Sequence, residues 1–343
     1  MAYTTINKPS DYFNTILTAG GSQSITSVGF QPDLVWNKRR DDTSDHHIND
    51  AVRGATKILF PNQNIAEQTN ANFISSFDSD GFTTGSGYWN SGASIVAWNW
   101  LANGTGVSNT DGSITSTVSA NTTSGFSIGT YTANGTTGAT IGHGLSQKPN
   151  FILVKNRTSG STNNWAVYHS STGASNVGTL DNPQTFFSNT TYWNGSEPTS
   201  SVFTIGSSGI VNTSGNDYLF YCFAEKTGYS KFGSYTGNGS SDGTFVYTGF
   251  KPAFILVKQT NSTASWTILD NKRDSFNVTE KRLFPDSNDA DTVGANGNTD
   301  FLSNGVKMRI GHANINASGS TYIYMAFAEV PLVGSNDVTA KAR

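Results

Sequence analysis

The chain has 343 residues, a formal net charge of −3, and only 13% charged residues against 12% aromatic ones. So even a balance offers no footprint for a nucleic-acid backbone or an acidic membrane, and no apolar run approaches the ~20 residues that span a bilayer as a helix. The single cysteine excludes an intrachain disulfide.

The opening "MAYTTINKPS" lacks the basic-then-apolar layout of a secretory signal. The expectation is a protein used without a secretory pathway, or released by lysis. Ser, Thr, Asn and 36 glycines suit turns and exposed strand faces better than helix surfaces. With enough aromatic and β-branched residues to fill cores, the composition predicts a folded all-β protein.

In chain order, "SDYFNTIL" (10–17) has room for one or two helical turns. "QPDLVWNKRR" (31–40) reads as a strand opened by Pro32, and "DDTSDHHIND" (41–50) as a solvated polar loop. "FISSFDSDGFTTGSGYW" (73–89) has strand, Asp-Gly turn and strand, a hairpin signal because such turns need positive φ. "SIVAWNW" (94–100) closes this first unit, and the Ser/Thr/Gly/Asn-rich stretch 103–125 is predicted to be a linker.

Beyond it, "GTYTANG" (129–135), "KPNFILVKNR" (148–157) and "YLFYCFAE" (218–225) return as "GSYTGNG" (233–239), "KPAFILVKQT" (251–260) and "YIYMAFAE" (322–329). The spacing of about a hundred residues is that of a small domain, not of a solenoid repeat. "FLSNGVKMRI" (301–310) repeats the hairpin signal with Asn-Gly. The predicted organisation is tandem β-sandwich domains, jelly-roll or lectin-like, at 1–102, 126–228 and 229–331, with a tail at 332–343.

Each proline-led strand is apolar on both faces, as in Phe151-Ile152-Leu153-Val154, and is expected to be central and covered on both sides. Pro32, Pro149 and Pro252 mark the strand starts, while Lys38, Lys155 and Lys258 are expected where the strands re-emerge into water. Aligning the closing strands puts Trp98 with Phe223 and Phe327, Ala97 with Cys222 and Ala326, and Trp100 with Glu225 and Glu329.

Few residues suggest chemistry. Cys222, in a position otherwise filled by alanine, reads as packing. Glu225 and Glu329 could suggest a glycosidase pair, but they are one position in two domains, and pairing with Lys155 and Lys258 is the plainer expectation. Asp41, Asp42, Asp45, His46, His47 and Asp50 cluster without recognised ligand spacing, and adjacent strand histidines face opposite ways, so no metal and no cofactor is expected. Asp50 and Arg53 recur as Asp270 and Arg273, read as surface ion pairs of small worth.

"GYWNSG" (87–92) and "TYWNGS" (191–196) place paired aromatics beside an amide, as sugar-binding surfaces do. Tyr88, Trp89, Asn90, Tyr192, Trp193 and Asn194 are therefore the glycan-contact candidates, the alternative being rings that cap a sandwich. No catalytic motif is present, so the chain does not read as an enzyme.

The stretches "SIVAWNWLANGTGVSNTDGSITSTVSANTTSGFSI", "KPNFILVKNR", "YLFYCFAEKTGYSKFGSYTGNGSSDGTFVYTGFKPAFILVK" and "TYIYMAFAEVP" resemble a repeat family abundant in virion proteins of marine bacterial viruses. The likeness covers nearly the whole chain and is weakest over the first ninety or so residues, where Trp-Asn replaces the usual run before the closing aromatic. The resemblance implies a lectin-like sandwich on a virus particle, in a tail-fibre or other structural protein, and carries no catalytic residues.

The expected role is attachment to host-surface polysaccharide, with head or tail decoration as the alternative. The expected partners are other virion proteins and further copies of the chain, a trimer being favoured by likeness to fibres. Neither nucleic acid nor membrane insertion is expected. The divergent first repeat is expected to serve as the virion anchor.

Overall fold

Each proline-led strand enters an antiparallel sheet built on the same four-strand order, extended to eight strands in the second repeat. The computed structural model describes residues 4–158 and 163–333. In the first repeat the order across the sheet is Phe13–Ala19, Ser94–Trp100, Leu34–Arg39, His47–Asp50. The second repeat has Phe126–Thr132, Asp217–Phe223, Phe151–Asn156 and Ala166–His169, and the third Ser230–Thr236, Thr321–Pro331, Phe250–Gln259 and Thr267–Asp270, in the same spatial order.

Smaller sheets back these: Ser24–Ile25 with Gly81–Thr84 and Ile74–Asp78, Thr140–Gly142 with Val202–Thr204, and Phe245–Tyr247 with Gly305–Met308 and Thr299–Leu302. Two of these hairpins are the Asp-Gly and Asn-Gly ones read from sequence. The chain is an all-β protein of sandwich type. At 10–17 the helical expectation shrinks to one 3-10 turn, Pro9–Asp11, before the first strand begins.

The prolines stand two residues before equivalent rungs, Leu34 opposite Trp100, Phe151 opposite Phe223 and Phe254 opposite Phe327. In the third repeat the strand also runs back through Pro252, with register shifts on either side of the proline. These rungs correct the alignment of the first repeat by two residues. Trp100, not Trp98, is the counterpart of Phe223 and Phe327, and Asn99, not Ala97, that of Cys222 and Ala326. Slipping a strand by two leaves every side chain on its own face, so hydrophobic alternation cannot detect the error.

Alternation then decides the packing. Phe151 and Leu153 face a core shared with Leu34, Trp36, Phe254 and Leu256, whereas Ile152 and Val154 face the second repeat's private sandwich core. Val35 and the Ile255–Val257 pair do the same in the first and third repeats. The three sandwiches are thus not beads on a string, because their inner sheets close around one common interior. At its centre the rings of Trp100, Phe223 and Phe327 form a near-equilateral triangle, with centroid separations of 6.3, 5.9 and 5.7 Å. Equivalent residues meeting this way mark a pseudo-threefold axis.

Residue sizes are exchanged between the repeats within this frame. Gly129 lies opposite Phe220 and Gly233 opposite Tyr324, but in the first repeat the matching pair is Ile16 and Ala97. A Cβ on Gly129 would sit 2.1 Å from the Phe220 ring, so the large residue stands on one strand or the other, never on both.

The predicted linker is not a bare connection. Val107–Asn109 and Ser116–Asn121 are strands that add to the free edge of Phe126–Thr132, extending the second repeat's sheet.

Candidate functional site

The chemistry-bearing residues gather along the seams between repeats, in a cyclic pattern. Lys38, Lys155 and Lys258 are fully buried, which overturns their placement at the water boundary. The Nζ of Lys155 donates to the carbonyls of Asn163 (2.5 Å) and, across the seam, of Gln63 in the first repeat (3.5 Å). Lys258 donates to Ala264 in its own repeat and to Pro183 of the second repeat at 3.0 Å. Lys38 donates to Arg39 and Asp42 carbonyls and lies in the field of Asp291 from the third repeat.

Burial pushes all three ammonium groups down to about 8, against the pull of nearby carboxylates. Burial likewise lifts Asp181, near Lys155, and Asp286, near Lys258, to about 6. Two residues after each lysine, a backbone carbonyl accepts from an amide of another repeat: Glu67 N–H to Arg157, Phe186 N–H to Thr260 and Asp291 N–H to Arg40.

The Asp-Arg pairs form the second ring of contacts, and they are not surface pairs. Asp50 and Arg53, like Asp270 and Arg273, have side chains with no exposure. Asp50 accepts from Tyr221 of the second repeat at 2.7 Å, and Asp270 from the Trp98 indole of the first at 3.1 Å. At the third equivalent rung, His169 faces the Tyr324 carbonyl at 3.1 Å. Burial opposes the charge of Arg53, but Asp50, with Tyr221 and Glu67, holds its pKa above the usual range. Glu67 in turn takes a bidentate pair from Arg157 at 2.8 and 3.0 Å. Asp50, Asp270, His169 and Glu67 thus join repeats, while Arg53 and Arg273 hold Asp50 and Asp270 from within their own repeats.

The sequence-derived candidates are not brought together. Tyr88, Tyr192 and Trp193 are buried, Trp89 is half-buried, and only Asn90 and Asn194 are exposed. Tyr88 packs against Phe82, and the Trp89 ring stacks on His47 at 5.0 Å. Tyr192 and Trp193 sit in a four-residue helical turn capped by Asn189, facing the second repeat's core. The buried rings of Tyr88, Tyr192 and Trp193 cannot stack on a sugar; they cap their sandwiches, and the glycan-contact assignment is withdrawn for those three.

Of the polar cluster at 41–50, His46 to Asp50 are buried, not solvated. His46 turns inward and accepts from the Trp36 indole at 3.0 Å, while His47 turns to the opposite face; burial drives His46 far below, and His47 to about 3 from, the usual imidazole value. Among the described residues no group of three or more His, Cys, Asp or Glu could hold a metal.

Cys222 is fully buried, and that burial raises its thiol well above the ordinary range. Glu225 pairs with Lys231 (2.7 Å) and Glu329 with Lys251 (3.1 Å), not with the buried lysines that were their expected partners. Their rung equivalent in the first repeat is Ala102, not Trp100, by the same two-residue correction.

Three aromatics that stand exposed were missed: Phe245, Tyr247 and Phe276. For the first two the available signal was "TFVYT", an alternation with its aromatic residues on the side away from the inward-facing Val246.

Fold and seams together define a pseudo-threefold all-β protein built from three sandwiches around one core. The chain belongs to the family described as Domain of unknown function (DUF7483), whose model matches residues 8–331 and so takes in all three repeats as one unit. No curated protein matches the chain.

Proposed function

We propose that this chain is a non-enzymatic structural protein of a bacteriophage particle, a tail fibre or tail-associated protein that attaches to host surface glycans. One observation carries the non-catalytic part. The buried Asp50, Asp270, Lys155 and Lys258 each bond across a seam, and the buried Arg53 and Arg273 are spent on holding Asp50 and Asp270. The virion assignment rests on the resemblance of the repeats. Three sandwiches on one core present three sets of loops at fixed angles, and weak sugar contacts gain from such multiplication. Partners in this reading are other virion proteins and further copies of the chain, a trimer first among them.

A second reading, head or tail decoration held by protein contacts, is favoured by the inward rings of Tyr88, Tyr192 and Trp193. The test is to add purified protein to host cells before the virus. Binding that blocks adsorption supports attachment. Protein that ignores the cells but labels the capsid or tail tube by immunogold favours decoration, and release of reducing sugar from host polysaccharide would refute the non-enzymatic reading.

A further inference from the structure

The pseudo-threefold repeat supplies an internal control for every position, and at one place the third repeat departs from the other two. Its small outer sheet is ordered Phe245–Tyr247, Gly305–Met308, Thr299–Leu302. Val246 points into the core, as do its counterparts Ile141 in the second repeat and Ile25 in the first. The flanking residues therefore point outward. They are Ser24 and Thr26 in the first repeat, Thr140 and Gly142 in the second, and Phe245 and Tyr247 in the third. The fold itself asks only for small residues there. Yet Phe245 is 42% and Tyr247 53% exposed, an arrangement that leaves much of each apolar ring in water.

The surroundings suit a particular ligand. Phe245, Lys307 and Asp300 are successive members of one cross-strand rung and share the solvent face, and Tyr247, Gly305 and Leu302 form the next. Gly305 leaves room for the neighbouring ring, because a Cβ there would lie 2.9 Å from Phe245. Lys307 pairs with Asp242 at 2.5 Å and Arg309 with Asp300 at 3.4 Å, so two acids and two bases border the aromatic pair with no net charge. In the second repeat the same position is overlaid by the inserted segment, with Ser113 and Ile114 bonded to Thr140. The third repeat keeps its platform bare.

We infer that this face, Phe245 and Tyr247 bordered by Asp242, Lys307, Asp300 and Arg309, is a binding platform for a neutral carbohydrate. The ring faces stack on the apolar side of a sugar, and the bordering charged groups hydrogen-bond its hydroxyls. A balanced border favours an uncharged glycan over an acidic one. The inference rests on the attachment reading and supplies it with the residues that the buried YWN rings cannot.

The test uses the full chain and the variant Phe245→Thr/Tyr247→Thr. The variant places at both positions the kind of small residue that the other repeats carry, so the fold tolerates it, with a melting temperature within a degree or two as the check. Both proteins are applied to an array of defined neutral oligosaccharides and bacterial lipopolysaccharides. The expected result is binding of the intact chain to at least one neutral glycan, weakened tenfold or more in the variant. If both bind glycans equally, the platform is refuted while attachment stands. If neither binds any glycan of the array, the platform is likewise refuted, and adsorption-blocking then decides attachment separately. If the intact chain captures a protein through these aromatics and no glycan, the face is a protein-docking surface and the carbohydrate assignment fails.

Discussion

The phenolic oxygen of Tyr221 lies 2.7 Å from the carboxylate of Asp50, a residue 171 positions away and in a different repeat. Asp50 also takes both the backbone N–H and the Nε of Arg53. Removing one donor from a buried carboxylate should cost roughly 1.5–3 kcal/mol, so Tyr221→Phe is expected to lower stability by that amount in a denaturant titration. Arg53→Met should cost more, roughly 3–5 kcal/mol, because it strands Asp50 without its cation. A Tyr221→Phe protein as stable as the parent would show that this seam contributes nothing.

Stability should also fall as the solution is acidified below about pH 6.5. His46, His47, His143 and His169 are buried and neutral, with the last two lowered to about 4 by burial. Their folded pKa values lie below the unfolded one, so the unfolded chain gains protons first and the native state loses stability between about pH 6.5 and 4. For His169 the difference corresponds to about 3 kcal/mol. Asp33, Asp181 and Asp286 are raised by burial, the last two to about 6, and act in the opposite sense over part of that range, but His312 is lowered as well, so three groups oppose five. Melting temperatures from pH 7 to pH 4 check the direction, and His169→Gln should flatten the slope.

On the alkaline side the three buried lysines predict a rise. Their folded values, about 8, lie below the unfolded 10.5, so the cost of burying charge is present below pH 8 and relieved above it. The melting temperature should increase from pH 8 to about pH 9 in low salt, before the unfolded chain begins to ionise the thiol of Cys222 and the tyrosines that burial holds neutral in the fold. A flat or falling curve would mean that these ammonium groups are hydrated.

The opposed sizes of Gly129 and Phe220 suggest a paired experiment. Gly129→Ala alone drives a methyl group into the ring and should cost about 1–3 kcal/mol. Combined with Phe220→Ala, which moves the pair toward the Ile16/Ala97 solution, the added cost of the alanine at 129 should shrink by at least about 0.5 kcal/mol. Strict additivity in the double-mutant cycle would dismiss the size exchange.

Phe327→Ala opens the triangle at the common core and should cost on the order of 3–5 kcal/mol. Because all three repeats meet there, unfolding should stay a single transition for every probe. A second, separate transition would indicate sandwiches that melt independently.

Much of this was legible in the residues. Phe151-Ile152-Leu153-Val154 announces a strand buried on both faces, and the repeated prolines fix its start to within two positions of the rung. What escaped was everything that depends on a neighbour from another repeat. Lys155 looks like a strand end meeting water until the Gln63 carbonyl arrives from the first repeat. Asp50 and Arg53 look like a surface turn until Tyr221 closes over them. Tyr192 and Trp193 carry the composition of a sugar site, but a helical turn rotates both rings inward, and composition holds no information on that rotation. The Trp98 and Trp100 ambiguity is of another kind, since two residues on the same face of one strand are equivalent to any reading by alternation.

The stacking of Phe13 on Phe327 brings the opening strand of the first repeat against the closing strand of the last, with ring centroids 5.1 Å apart. Spatially, then, the molecule is a loop with no privileged beginning: first touches second, second touches third, and third touches first. The covalent break at the termini is only one of three places where such a loop could be cut. A rearranged gene that starts at the second repeat and joins the old ends through a short polar bridge should give a chain that closes into the same body, whereas a lone repeat, deprived of two-thirds of the triangle, should not hold its inner sheet dry.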